Sequence, residues 1–359
     1  MSVDKIVDKT AKMGLSRRHF IVKVPSVVGV GLATFALPAC SGGGSDSPEA
    51  ASEAASSAVS DATAGGSPAP APAPAPAPVA ASPAPAPATA PRGGSSKSGF
   101  VPEGYRLTFA DEFDDNNVSR INEDAVGGKP GAPAWRSRYR QDRNTIINGE
   151  KQVYVDPAYR GSSANPLGLQ PFSIASGVLT IAATPLNERV APFLGKQRFA
   201  SGCITTELTH WQQYGYFEIR ARMPKGRGFW PAFWLLPKSG NWPPEIDVFE
   251  GTGAKPTNVH LGVIEKQRGR PGSRWVKDAV DTTDGFHVYG AEWTADDVVF
   301  TIDGKEQFRA GSHRIHEPMY MLVNLAVGSK DPGFIPDPDG STPWPGQFLI
   351  DYVRAYSRG

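Results

Sequence analysis

Polar and apolar side chains alternate along Tyr216-Phe217-Glu218-Ile219-Arg220-Ala221-Arg222-Met223. Phe217, Ile219, Ala221 and Met223 share one face of an extended chain, and Glu218, Arg220 and Arg222 share the other. The same period recurs in short runs from about Phe100 onward, and no long stretch keeps a 3.6-residue apolar period. Phe172-Ser173-Ile174 and Val178-Leu179-Thr180-Ile181 flank Ser176-Gly177, which predicts a hairpin. Val298-Val299-Phe300-Thr301-Ile302 runs into Asp303-Gly304, a two-residue turn signal that predicts another. Met319 to Val327 and Phe348 to Tyr356 read as further strands. The pattern predicts an all-β, two-sheet sandwich of about 260 residues, with no second domain boundary after residue 100.

One strand departs from the apolar rule. Glu245-Ile246-Asp247-Val248-Phe249-Glu250 carries three carboxylates in six residues. On a regular strand Glu245 and Asp247 share a face, and Glu250 falls on the opposite one. A β-bulge at Val248-Phe249 adds one residue and returns Glu250 to the side of the other two acids. Three like charges on one face are costly to pack. Chemistry that needs carboxylates in different protonation states is one reason to keep them. Alternating acids also suit calcium, through oxygen ligands, or an ion-paired patch.

Composition divides the chain before residue 100. Lys5, Lys9 and Lys12 precede Ser16-Arg17-Arg18-His19-Phe20-Ile21-Val22-Lys23, which resembles a twin-arginine export signal. The mildly apolar run from Val24 to Ala39 is too short, and too rich in Gly and Pro, to read as a membrane span. It ends in Leu37-Pro38-Ala39-Cys40, which resembles a lipoprotein box with Cys40 as the lipidated residue; a plain cleaved signal is the alternative. Residues 1–40 are therefore read as an export signal, and the protein as exported to the cell envelope, periplasm or medium. Residues 41–98 are Ala-, Pro-, Ser- and Gly-rich, with an Ala-Pro repeat from Ala69 to Pro78, and cannot bury a core. At about 3.1 Å per residue, such a polyproline spacer reaches on the order of 100 Å or more. A net charge of +1 gives no reason to expect a nucleic-acid partner. Two cysteines in unlike contexts, Cys40 and Cys203, argue against a disulfide framework. The domain at 99–359 is expected to be monomeric.

Eight Trp and ten Tyr, most beyond residue 130, suit the apolar faces of sugar rings as well as they suit a core. Several motifs follow in order: Asp111-Glu112-Phe113, Asn148-Gly149-Glu150-Lys151-Gln152-Val153-Tyr154, Tyr214-Gly215-Tyr216-Phe217-Glu218, and Phe229-Trp230-Pro231-Ala232-Phe233-Trp234. The acidic strand comes next, then Glu292-Trp293 and Ile350-Asp351-Tyr352-Val353-Arg354. In this order they resemble family 16 of the glycoside hydrolases, the laminarinase and lichenase group, over roughly residues 100–359. The resemblance implies a β-jelly-roll sandwich with a sugar cleft. It also implies retaining, endo-acting hydrolysis of β-1,3/1,4-linked glucan or a related polysaccharide, with no cofactor for catalysis. Glu245 would be the nucleophile, Glu250 the acid/base and Asp247 the assisting residue. The bulged spacing is that of laminarinase-like members.

The resemblance also favours Trp230 and Trp234 as cleft residues, with core filling as the alternative for each. Trp242 divides evenly between stacking and packing. His260, ten residues after Glu250, would bond substrate or an acid, or else pack. Asn148 and Glu150 match a sugar-facing position, and Arg198 is a further candidate. Cys203 reads as a small buried residue. Glu112 and Asp351 would contribute to a structural calcium site or remain surface charges. The Gly/Pro-rich insertions at Val126 to Ala134 and Ser329 to Thr342 would shape subsites. A transglycosylase on the same scaffold and a lectin-like binding module are the rival readings; the module predicts a broken acidic set, whereas all three acids are present.

Overall fold

The computed structural model describes residues 99–122, 135–265 and 272–359. The export signal, Cys40, the 41–98 linker and the whole Val126 to Ala134 insertion lie outside the described residues. Strands follow one another as β1 (Tyr105–Asp111), β2 (Ile121–Asn122), β3 (Trp135–Arg136), β4 (Gln152–Tyr154), β5 (Phe172–Ala175), β6 (Val178–Pro185), β7 (Phe199–Ser201), β8 (Cys203–Thr205) and β9 (Gly215–Arg222). They continue as β10 (Phe229–Pro237), β11 (Glu245–Gly251), β12 (Val259–Ile264), β13 (Ser273–Val276), β14 (His287–Trp293), β15 (Asp297–Ile302), β16 (Lys305–Gly311), β17 (Met319–Val327) and β18 (Gly346–Arg358). Among the described residues the only helices are two single 3-10 turns, Val118–Arg120 and Ala191–Phe193.

Two sheets form. One runs β16-β15-β14-β9-β18-β6-β7-β4, with β1 added on β18 and β5 on β6; the other runs β13-β12-β11-β10-β17-β8-β3-β2. Pairing is antiparallel except for β2 with β3 and β4 with β7. The two expected hairpins are present. Ala175 faces Val178 across Ser176 (φ 51°) and Gly177 (φ 71°), and Ile302 faces Lys305 across Asp303 (φ 49°) and Gly304 (φ 74°). Positive φ at both central residues gives the turn the twist of the strands it joins.

The core lies between the sheets. Phe217, Ile219 and Ala221 of β9 join Ile350 and Val353 of β18 on one side. Phe233, Ile246, Leu261 and Val323 meet them from β10, β11, β12 and β17. Phe249 reaches across to Tyr289 and Phe348, with ring centroids 4.4 and 6.0 Å apart. Burying these side chains is the main stabilising term, roughly 1.5–3 kcal/mol for each large apolar group.

The eight-stranded sheet has a second covered face. On β17 the odd-numbered residues Met319 to Val327 enter the core, while Tyr320, Leu322, Asn324 and Ala326 point outward yet stay buried. Tyr139 and Tyr154 pack over one part of this outer face, and Phe334 and Ile335 over another. The segment before β4 and the loop after β17 thus wall in the surface that carries the acids.

Candidate active site

The bulge in β11 forms where the spacing of the acids predicts it. Asp247 sits opposite Gly262 and Glu250 opposite His260, so Val248 and Phe249 share the single place of Leu261. Against β10, Asp247 faces Trp234 and Phe249 faces Phe233, leaving Val248 as the extra residue. Both bulge side chains stay in the core with Ile246. The extra residue therefore turns Glu250 to the outer face, beside Glu245 and Asp247. All three carboxylates are 0–1% exposed.

Buried carboxylates need donors, and indole N–H groups supply them to Glu245 and Glu250. Trp242 Nε1 donates to Glu245 Oε2 at 2.8 Å. Trp230 Nε1 donates to Glu250 Oε1 at 3.1 Å, and His260 Nδ1 meets Glu250 Oε2 at 2.8 Å. Indole and imidazole rings are stiff and apolar on their faces, so they hold an oxygen in place while keeping water away.

A cleft of about 560 Å³, open to solvent, lies against the Glu245 end of the strand. Trp234, Trp242, Tyr139, Tyr320 and Arg140 line it with Glu245. The three tryptophans expected to meet sugar thus occupy three different places. Trp242 is half-buried in the cleft wall and bonds Glu245. Trp234 lines the cleft but is only 3% exposed. Trp230 is equally buried and faces Glu250 and Phe334, away from the residues that line the cleft.

Beneath Trp234 runs a chain of polar groups. Trp234 Nε1 donates to Asn324 Oδ1 (2.7 Å), and Asn324 Nδ2 donates to the Tyr154 hydroxyl (2.9 Å). Tyr154 in turn donates to Glu150 Oε2 (3.4 Å), which also accepts from Gln152 Nε2 (2.6 Å). Asn148, at φ 55°, donates to Glu150 Oε1 at 3.3 Å. Burial pushes the Tyr154 and Tyr320 hydroxyls well above their ordinary range, so both stay neutral donors at any working pH. The Asn148–Glu150 pair therefore reaches the cleft through the support of Trp234. Arg198 is exposed, lies 6.0 Å over the Phe199 ring and is not among the cleft residues.

Glu112 and Asp351 do not fit a calcium site. Arg354 takes both oxygens of Glu112 at 2.7 and 3.0 Å, and Arg220 bonds Asp351 at 2.6 Å. A cation would have to enter beside a positive charge already in place. Among the described residues no group of three or more His, Cys, Asp or Glu side chains is placed to hold a metal ion.

Sequence reasoning missed Asn324, Tyr139, Tyr320, Phe334 and Trp275. Asn324 had a signal: it is the one amide within the apolar run Met319 to Val327. The others are aromatics in loops and strands, where nothing local separates a site residue from a core residue.

The family described as Glycosyl hydrolases family 16 matches residues 177–353. An endo-1,3-1,4-beta-glycanase of Rhizobium meliloti, ExsH, is 37% identical over 257 residues, covering 70% of this chain and 51% of that protein. The chain spans about half the length of the two Rhizobium meliloti glycanases it matches. A beta-glucanase of Rhodothermus marinus is 32% identical over 291 residues, covering 73% of this chain and 88% of that protein. Among solved structures, SCLam, a non-specific endo-beta-1,3(4)-glucanase, superposes with a TM-score of 0.57 at 26% identity, over 72% of this chain and 93% of that one. The Rhodothermus marinus laminarinase does so with 0.53 at 26% identity, over 70% and 97%. The chain belongs to family 16 of the glycosyl hydrolases.

Proposed function

We propose that this protein is a retaining endo-β-glycanase that cleaves β-1,3- or mixed β-1,3/1,4-linked glucan by double displacement. The observation that carries the reading is the bulge that gathers Glu245, Asp247 and Glu250 on one covered face, with ring N–H donors on Glu245 and Glu250. The substrate class is supported by the similar proteins, whose names specify β-1,3 and β-1,3-1,4 linkages.

In the first step Glu250 gives its proton to the glycosidic oxygen as that bond breaks. Glu245 then bonds to the anomeric carbon from the opposite face. Glu245 suits the nucleophile's part because it reaches the cleft and Trp242 fixes one of its oxygens. In the second step the Glu250 carboxylate takes a proton from water, and the resulting hydroxide displaces Glu245. Two inversions restore the original anomeric configuration. Asp247, between them on the same face, steadies the pair electrostatically. Retaining enzymes place the two working carboxyl groups about 5–5.5 Å apart.

The test is reducing-sugar release from laminarin, lichenan and agarose, with product anomers followed by NMR. Release from the β-glucans as the β-anomer is expected. Glu245→Gln should lower turnover by about a thousandfold or more while leaving polysaccharide affinity intact. An unchanged rate in that variant, or firm binding without release by the wild type, would reject the assignment.

The N-terminal motifs extend the proposal to location. A twin-arginine-type signal and a lipid at Cys40 would place the enzyme outside the cytoplasm, on a 41–98 spacer, where a polymeric glucan can reach it.

A further inference from the structure

Glu250 owes its position to two rings, and both rings owe theirs to a third. Phe334 stands 5.3 Å from the Trp230 ring at 75° and 5.3 Å from the His260 ring at 88°. Trp275 of β13 completes the cluster, 5.2 Å from Phe334 and 5.1 Å from His260. Phe334 is itself only 8% exposed. Without it, the indole and imidazole partners of Glu250 would each have an open flank and room to turn about χ2.

Phe334 is held from behind by its own loop. Its N–H and that of Ile335 both donate to Asp331 O at 3.0 Å, and Ser329 Oγ donates to Ile335 O at 3.1 Å. Lys330 N donates to Asn148 O at 2.7 Å, and Thr342 Oγ1 to Arg227 O at 2.9 Å. Arg227 also pairs with Asp339 at 3.1 Å. The loop is thus pinned at its start, its turn and its end, which makes Phe334 a fixed wedge.

We propose that Phe334 is a positioning residue for proton transfer by Glu250, acting through the Trp230 and His260 rings that bond it. The inference rests on the acid/base role assigned to Glu250 above. Packed against both rings that bond Glu250, the Phe334 ring would control the reaction through the placement of one carboxyl group. General acid catalysis contributes about 10²–10⁴-fold, and misplacing a catalytic group by about 1 Å forfeits on the order of 10²-fold. The effect should depend on how much the leaving group needs a proton.

Phe334→Ala and Phe334→Leu would be assayed in the full chain on β-glucan and on an oligoglucoside with a dinitrophenolate leaving group, which departs unprotonated. In the alanine variant kcat/KM should fall by about 10–100-fold on glucan and by less than about threefold on the activated substrate. Leucine, which keeps apolar bulk without the ring, should give smaller losses with the same discrimination, and it carries the test should alanine unfold the loop. Azide should raise kcat of the alanine variant on the activated substrate by taking over from the base-assisted water. Equal losses on the two substrates at a native melting temperature, or no loss on glucan, would overturn the inference alone. A wild type inert on both substrates would overturn the functional reading and this inference with it.

Discussion

Trp242 lines the cleft with its ring and holds Glu245 with its N–H, and a single substitution separates the two roles. Trp242→Phe keeps an aromatic face but removes the donor to Glu245 Oε2. A hydrogen bond to a charged group contributes about 1.5–3 kcal/mol, so kcat/KM should drop roughly ten- to a hundredfold, mostly in kcat. Steady-state kinetics on laminarin would show it. A rise in KM at constant kcat would mean that only the ring matters. The same contrast explains how far individual residues were legible. Parity along β10 turns Trp230 and Trp234 to the acidic face, the side that the family resemblance implies for them. Which of them meets the cleft is decided by Phe334 and by Tyr139, brought in from distant segments. No local pattern encodes that contact. Glu112 and Asp351 stay open between calcium ligand and surface charge in the sequence for the same reason, because their arginine partners lie in distant segments.

Single strands and turns were far more legible, since period-2 alternation and positive-φ turn residues are local properties. The β11 bulge belongs here: one surplus residue between Asp247 and Glu250 is visible as spacing, and the register confirms it. The β15–β16 turn also carries a titratable brace. His287 Nδ1 meets Asp303 Oδ2 at 2.7 Å, and Val288 N donates to Asp303 Oδ1 at 2.9 Å. The Asp303 bond raises the His287 pKa above its ordinary value, against the opposing effect of burial. Burial alone would raise Asp303, but the bonds from His287 and Val288 outweigh it and lower the acid. A raised histidine stabilises fully below about 6.5 and loses that contribution as pH climbs through its folded value. A lowered aspartate stabilises above about 3.9 and loses that contribution as pH falls through its folded value. The brace is therefore complete between these limits. Asp303→Asn tolerates the same backbone conformation and should lower the melting temperature by about 1–2 °C at pH 5–6. The gap should narrow toward pH 8; a gap constant from pH 5 to 9 would rule the linkage out.

At the scale of the molecule, the two cysteines stand in opposite situations. Cys203 is fully buried in the cluster that holds Trp234 and Leu322, so its thiol supports the acidic sheet and is closed to reagents. Cys40 belongs to the segment that resembles a lipoprotein box. A glucan polymer does not cross a bilayer, so an enzyme for it gains from export and from a tether that keeps it near the surface. One acyl chain gives only marginal membrane binding, whereas a lipoprotein-type anchor carries several and holds firmly. The expected mature protein therefore begins at Cys40, with its thiol and amino group both acylated. Native maleimide labelling should then find no reactive thiol, because Cys203 is enclosed and Cys40 is blocked. Intact mass of the detergent-extracted protein would read the acyl groups directly, and blocking lipoprotein signal peptidase with globomycin should accumulate the precursor. A mature form that starts elsewhere, or carries Cys40 as a free and labelled thiol, would remove the anchor while leaving the chemistry of Glu245 and Glu250 untouched.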